Sequence, residues 1–444
     1  MAEERFLTET KHQRFRPYPE YKDSGMKLIG SIPIGWHIKP IFALYERRTQ
    51  RKHEDLRLLS VYRDYGVILR EDREDNFNRP SLDLSPYQLV ENRDLVLNKM
   101  KTWQGSIAVS ELRGIVSPAY IICRPRHGEH DRYMHYLLRA PSYITQYASL
   151  SYGVRVDQWD LRFEDFRRIQ VLLPPVEDQR AIAAFLDCET GKIDALIAKK
   201  ERLIELLQEK RTALITQAVT KGLDPNVPMK DSGIEWLGKI PAHWEVTTLK
   251  RIGDLQAGAG FPDEEQGLDS EDIPFFKVGD MGLAANKKEM IDCPNTISQS
   301  TARRLRAYIF PPKTIVFAKV GAALLLNRRR VLSKPSCIDN NMMGFIPAYC
   351  DSGWALYWLC GLDLGELANP GAVPSVNEGQ MRDTPVVVPL LNEQCLIAAF
   401  LDRETAKIDS LVSKVKGAIE HLKEYRTALI SAAVAGKIDV RGRA

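Results

Sequence analysis

No apolar run in this 444-residue chain approaches the roughly 18 residues that a membrane-spanning helix needs. Its first residues carry Glu3, Glu4 and Arg5 ahead of any hydrophobic stretch and so lack the apolar core of a secretory signal. The seven cysteines are odd in number, scattered, and never spaced as CxxC. That usage excludes a disulfide framework and a zinc ribbon, and it fits a reducing cytoplasm with no structural metal. Catalytic motifs are missing too. There is no Asn/Asp-Pro-Pro-aromatic loop to grip a flipped adenine, because the Pro-Pro pairs follow Leu173 and Phe310. No GxxxxGK[ST] phosphate loop occurs, and Gly258-Ala259-Gly260 runs into Phe261-Pro262-Asp263 without completing GxGxxG. His127, His130 and His135, with Glu129 and Asp131, are the one cluster resembling metal ligands, but they mix a turn with a helix start and need not converge. The expectation is no catalytic residue and no metal.

Acidic residues are absent from one long stretch. Between Cys293 and Ile338 there is no Asp or Glu, while Arg303, Arg304, Arg306, Lys313, Lys319, Arg328, Arg329, Arg330 and Lys334 all fall inside. A net charge of +4 is too small to make the whole molecule a polycation, so nucleic-acid contact requires local concentrations of this kind. A sparser basic set, Lys99, Lys101, Arg113, Arg124, Arg126, Arg132 and Arg139, lies in the first half of the chain.

What is present is present twice. Lys22-Asp23-Ser24-Gly25, then Gly30, Ile32-Pro33 and Trp36, returns 208 residues later as Lys230-Asp231-Ser232-Gly233, then Gly238, Ile240-Pro241 and Trp244. Gln179, Ile182-Ala183-Ala184-Phe185-Leu186-Asp187, Glu189-Thr190 and Lys192-Ile193-Asp194 return 215 residues later, from Gln394 to Asp409. The segments between these blocks diverge and are each about the size of a domain. A duplicated frame around two unlike inserts suggests a protein that reads two different things at a fixed separation.

The second block opens long helices. Pro174-Pro175 and Pro389 end strand-like runs (Ile169 to Leu173; Val386 to Val388), and helix formers follow. Apolar residues then recur at heptad spacing: Ile193, Leu196, Leu203, Leu207 and Leu214, widened by Ile197 and Ile204, in one copy; Ile408, Leu411, Val415, Leu422 and Leu429 in the other. Each stripe calls for a partner helix, and the other copy is the obvious one. Thr190 and Thr405 are expected as caps, Gly222 and Gly436 as stops. The inserts show short β-rich runs (Leu95 to Leu97, Ser106 to Val109, Ala119 to Ile122; Phe275 to Val278, Thr314 to Ala318, Gly344 to Ile346) and helical stretches (Asp131 to Leu138; Gly353 to Leu359), an α+β pattern whose strand order cannot be read from the sequence. Trp36 and Trp244 are expected as core plugs.

Paired in this way, the Lys-Asp-Ser-Gly, Ile-Pro and Trp blocks and the Gln, Ile-Ala-Ala-Phe-Leu-Asp, Thr and Lys-Ile-Asp blocks make the chain resemble the specificity subunit of type I restriction-modification systems, from about Tyr21 to Val440. The resemblance implies an α+β fold with two pseudo-repeated target recognition domains separated by two long antiparallel coiled-coil helices. It divides the chain into an extension (1–20), a first recognition domain (21–175), a first spacer helix region (176–224), a second recognition domain (225–388) and a second spacer helix region (389–444). It further implies a non-catalytic, cytoplasmic, DNA-binding subunit. Each domain would read half of a bipartite double-stranded target, and the helices would dock two DNA adenine methyltransferase subunits. Restriction and translocase subunits would join them, and S-adenosylmethionine, ATP and Mg2+ would be used by the partners, none by this chain. The extension has no counterpart in the second copy. The rival reading is a helical adaptor whose inserts bind proteins.

Base-reading residues do not transfer from the resemblance and rest on chemistry. In the first insert the candidates are Asn98, Lys99, Lys101, Trp103, Gln104, Gly105 and Arg113, where amide and basic side chains meet an aromatic and a glycine that would let backbone approach DNA. In the second they are Lys319, Gly321, Asn327, Arg328, Arg329, Arg330 and the amide pair Asn340-Asn341.

Overall fold

The computed structural model describes residues 15–25, 29–73, 80–153, 159–369 and 371–442. The chain forms two compact units, one of residues 1–201 and 416–444, the other of residues 202–415.

In the first unit a hairpin pairs Tyr21–Asp23 with Ser31–Pro33, and Trp36 is buried just beyond it. His37–Pro40 then pairs antiparallel with Gln170–Leu173, so one two-stranded ribbon closes the start and the end of the insert together. Inside lies a four-stranded antiparallel sheet in the order Tyr45–Arg48, Tyr120–Pro125, Leu95–Asn98, Ile107–Val109. Leu95 to Leu97, Ile107–Val109 and Ile121 to Cys123 are buried without alternation because both faces are covered there. Leu95, Leu97, Ile107, Ile121 and Cys123 enter the larger core with the helices Asp131–Leu138 and Pro141–Leu150, whereas Val96, Ala108 and Ile122 pack with Leu59, Val61 and Val90.

The second unit repeats the plan. Met229–Asp231 pairs with Lys239–Pro241, Trp244 is buried, and Glu245–Thr248 pairs with Pro385–Val388. Its sheet has the order Gly253–Ala257, Met342–Pro347, Ile315–Ala318, Arg329–Leu332, Glu289–Met290, the last pair being parallel. Ile315, Phe317, Met343 and Phe345 face the core that holds the helix Ser352–Cys360, and Val316 and Met342 face a separate cluster with Phe276 and Phe310. The strand expected over Phe275 to Val278 is Ile273–Phe276, because Val278–Gly282 turns into a 3-10 helix.

The long helices span Val176–Lys221, 46 residues, and Leu391–Val434, 44 residues. The first begins directly after Pro175 and the second with one residue between it and Pro389, so Thr190 and Thr405 lie well inside them and cap nothing. Their hydroxyls donate back to Leu186 O and Leu401 O, one turn earlier. Gly222 and Gly436 do end the helices, in left-handed conformation at φ +77° and +68°. A side chain at Gly222 would meet Trp244, and one at Gly436 would meet Pro33 and Trp36. The two tryptophans are thus the seats onto which the helix ends fit.

The buried stripe differs from the expected one. Along the middle of the first helix one stripe of buried and half-buried positions runs through Ile193, Ile197, Lys200, Ile204, Leu207, Arg211, Leu214 and Ala218, and along the second through Ile408, Val412, Val415, Ile419, Leu422, Arg426, Leu429 and Ala433. Steps of four and three alternate in both, and the two sets are equivalent under the 215-residue repeat. Leu196, Leu203 and Leu411, expected in the seam, are 43, 40 and 44% exposed and stand outside it. A seam following the 3.5-residue repeat takes Ile197 and Ile204 in their place. Ion pairs join the helices at repeat-equivalent positions: Asp194 with Arg426 at 2.9 Å in the first unit, Asp409 with Arg211 at 3.4 Å in the second. A rise of 17 residues on one helix is matched by a fall of 17 on the other, so they run antiparallel.

The described part of the N-terminal extension lies in the first unit. Phe15 meets Phe185 edge-on, Arg16 forms a β-bridge with Asp439, and Tyr18 packs on Trp36 beneath Arg441. Among the described residues no helix is long and apolar enough to cross a membrane.

Candidate nucleic-acid interface

In the first unit the candidates from Asn98 to Gly105 gather where the strand Leu95–Asn98 ends, and Arg113 lies apart from them, paired with Glu91 ahead of the start of that strand. The Asn98 side chain accepts from Met100 N at 3.1 Å, Thr102 Oγ1 donates to Asn98 O at 2.6 Å, and Trp103 Nε1 donates to Met100 O at 2.9 Å. These bonds fold Lys99 to Gly105 into a compact loop that exposes Lys101 and Gln104 and sets Trp103 beside Trp159. Gly105 does not serve as a point of backbone approach. It is buried in left-handed conformation at φ +100°, and a side chain there would press on Ile144. Its glycine is required by the turn.

In the second unit Lys319, Gly321, Asn327, Arg328, Asn340 and Asn341 meet at the corresponding strand end, where Ala318 pairs with Met342 and Phe317 with Arg329. Asn340 and Asn341 are exposed, on a turn held by Asp339, whose carboxylate accepts from Asn341 N. Three other expectations are corrected. Arg329 is 4% exposed, and its guanidinium donates to Asn327 Oδ1 and Leu362 O, while burial lowers its pKa. Arg330 spends its guanidinium on the carbonyls of Asn286, Arg329 and Met281. Asn327, left-handed at φ +51°, bonds through its amide to Asp363, Leu364 N and Arg329. These three build the lobe. Arg329 stands in an inner strand at the position where the first unit has buried Ile107, so the residue type misled while the position is structural.

The carboxylates sort the remaining cations. Arg113 pairs with Glu91, Arg124 and Arg126 share Glu46, Arg132 pairs with Asp187 and Glu111, and Arg304 pairs with Glu265. Arg139 lies against His135 and Arg63 O. Among the described residues, Lys99 and Lys101 in the first unit and Lys319 and Arg328 in the second have no carboxylate partner and sit at the two strand ends.

The duplicated helix block holds each insert by the same bonds. Gln179 accepts from His130 N at 2.8 Å and donates to Pro174 O, and Gln394 accepts from Asp351 N at 2.7 Å and donates to Pro389 O. Asp187 accepts from Tyr136 OH and Arg132, and Asp402 from Tyr357 OH and Lys288. Thr190 and Thr405 touch the same two hydroxyls. Burial raises both tyrosine pKa values, so each stays a donor. Tyr136 and Tyr357 were not singled out from the sequence. The signal in the sequence is the recurrence of Asp187 and Thr190 as Asp402 and Thr405 at matched positions of the two helix blocks.

The histidine cluster disperses: His127 packs edge-on to Tyr45, His130 is engaged through its backbone, and His135 turns to Val109 O and Arg139. Among the described residues no group of His, Cys, Asp and Glu is arranged to hold a metal ion.

Residues 241–421 match the family described as type I restriction modification DNA specificity domain. The type I restriction enzyme MjaVIII specificity subunit of Methanocaldococcus jannaschii is 22% identical over 80% of this chain and 83% of its own length. The StySPI specificity subunit of Salmonella potsdam is 21% identical, covering 94% of this chain and 92% of its own. Among solved structures, a chain from work on assembly and conformational transition of the type I R-M system superposes with a TM-score of 0.69 at 16% identity, over 91% of this chain and 98% of that one. The HsdS subunit from Thermoanaerobacter tengcongensis does so with a TM-score of 0.50 at 17% identity, over 94% of this chain and 100% of that one. At these identities the superpositions speak to the fold.

Proposed function

We propose, for a chain that family, relatives and fold together indicate to be a type I restriction-modification specificity subunit, that each unit reads one half of a bipartite double-stranded DNA target. The observation that carries this reading is the placement of cations free of carboxylate partners, Lys99 and Lys101 in one unit, Lys319 and Arg328 in the other, at corresponding strand ends in two sheets whose frames are duplicates. Such cations neutralise phosphates and fix register, while Gln104, Asn340 and Asn341 offer amides of the kind that bond to base edges in the major groove. Chemistry on the DNA falls to partner subunits. The helices serve as the spacer, and their exposed faces, including Leu196 and Leu411, are where methyltransferase subunits would dock. Restriction subunits would complete the complex, in the cytoplasm.

Methylome sequencing of cells with and without this chain tests the reading. One asymmetric, interrupted motif should lose its methylation when the chain is deleted. Unchanged methylation at every motif would sink the proposal.

A further inference from the structure

The two loops share almost no side chains, yet their backbones correspond where each loop leaves its strand and where it returns. In the first unit Leu97 pairs with Ile107 on one side and Ile121 on the other; in the second Phe317 pairs with Arg329 and Met343. This register makes Lys99 and Lys319 the same position, one residue beyond the equivalent strands. The surrounding bonds agree. Lys99 N donates to Ala119 O at 3.1 Å and Lys319 N to Asn341 O at 2.8 Å. Lys99 O accepts from Leu161 N at 3.1 Å and Lys319 O from Val376 N at 2.9 Å. The turn opposite is built alike, with Ala119 N on Ser117 Oγ and Asn341 N on Asp339 Oδ1. Both loops leave through a left-handed residue, Gly105 in one and Asn327 in the other.

We propose that Lys99 and Lys319 are matched phosphate anchors, one per unit, that seat each lobe on its half-site in the same register whatever the sequence. The unlike side chains at the neighbouring equivalent positions, Asn340-Asn341 against Pro118-Ala119, then discriminate bases. This rests on the DNA-reading function proposed above and adds a division of labour within it. A backbone held on both its N–H and its C=O fixes where the lysine side chain starts. A flexible ammonium then reaches a phosphate oxygen without demanding a particular base. Pro118 and Ala119 have no side-chain hydrogen-bonding group, whereas an asparagine amide can bond bidentately to N6 and N7 on the major-groove edge of an adenine. Duplication kept the sequence-blind contact and let the sequence-reading one diverge.

The test uses the full chain with its methyltransferase partner, binding a duplex that carries the methylome-defined motif and a scrambled duplex, over a series of salt concentrations. Lys99→Ala and Lys319→Ala should each reduce the slope of log affinity against log salt by about 0.9, equally on both duplexes, since each contact releases one counterion's worth of charge. The double variant should lose about twice that, and Lys→Arg at either site should restore it. Asn341→Ala should weaken binding to the motif duplex alone. Unchanged slopes in both lysine variants, or a loss confined to the motif duplex, would overturn the anchor. A wild-type complex that binds both duplexes alike at every salt concentration would instead overturn the DNA-reading function itself, so the two failures are distinguishable.

Discussion

Side chains of one chemical type divide here by their partners. Arg328, Arg329 and Arg330 are adjacent, yet the last two have their guanidiniums engaged with backbone and amide oxygens inside the lobe. Arg329→Ala should therefore cost about 1–3 kcal/mol of stability by leaving buried acceptors unpaired, seen as a lower Tm, with DNA affinity falling only as the folded fraction does. A loss of affinity at unchanged Tm would contradict this. His135 gives a pH prediction. Burial beside Arg139 pushes its pKa from 6.5 down to about 3. The unfolded chain takes up a proton below 6.5 that the folded chain refuses, so stability present above pH 6.5 is lost as pH falls toward 3. His135→Gln should flatten that part of the stability profile, measured by urea unfolding in acid, and an unaltered profile would remove His135 as a contributor.

At the scale of elements, the repeats made the strand runs before the long helices, the helices themselves and their Gly222 and Gly436 stops legible, whereas the pairing of those runs into ribbons was not. Nor was the phase of the seam. Leu196 adjoins Ile197 and Leu203 adjoins Ile204, so apolar residues satisfy either phase, and only the packing, with Arg211 and Arg426 each paired to an aspartate, selects one. Ile193→Ala should cost about 2–5 kcal/mol, whereas Leu203→Ala should stay within about 0.5 kcal/mol, by thermal or chemical melting. Equal costs would restore the other phase. The interface was half legible for a related reason. Composition marks Lys319 and Arg329 as equals, and strand pairing alone shows that one occupies a core position of its repeat. Thr190 and Thr405 looked like caps because the sequence shows a helix former more clearly than it shows where hydrogen bonding begins.

For the whole molecule, the proposed ruler is a length encoded in helix residues. Four residues inserted into each long helix add about 6 Å at ~1.5 Å per residue and slightly more than one full turn, which leaves the faces only modestly rotated. The tolerated gap between half-sites should lengthen accordingly, read by methylome sequencing. Full methylation at the original gap would count against a ruler.

The left-handed exit shared by Gly105 and Asn327 also constrains how new specificities arise. Eight residues separate Asn98 from Ile107 and ten separate Ala318 from Arg329, so nature has already varied the loop's length while keeping its hinge. A library that randomises these loops should hold that one site to glycine or asparagine and leave length free, because β-branched residues there would unseat the strand that follows before any base is met.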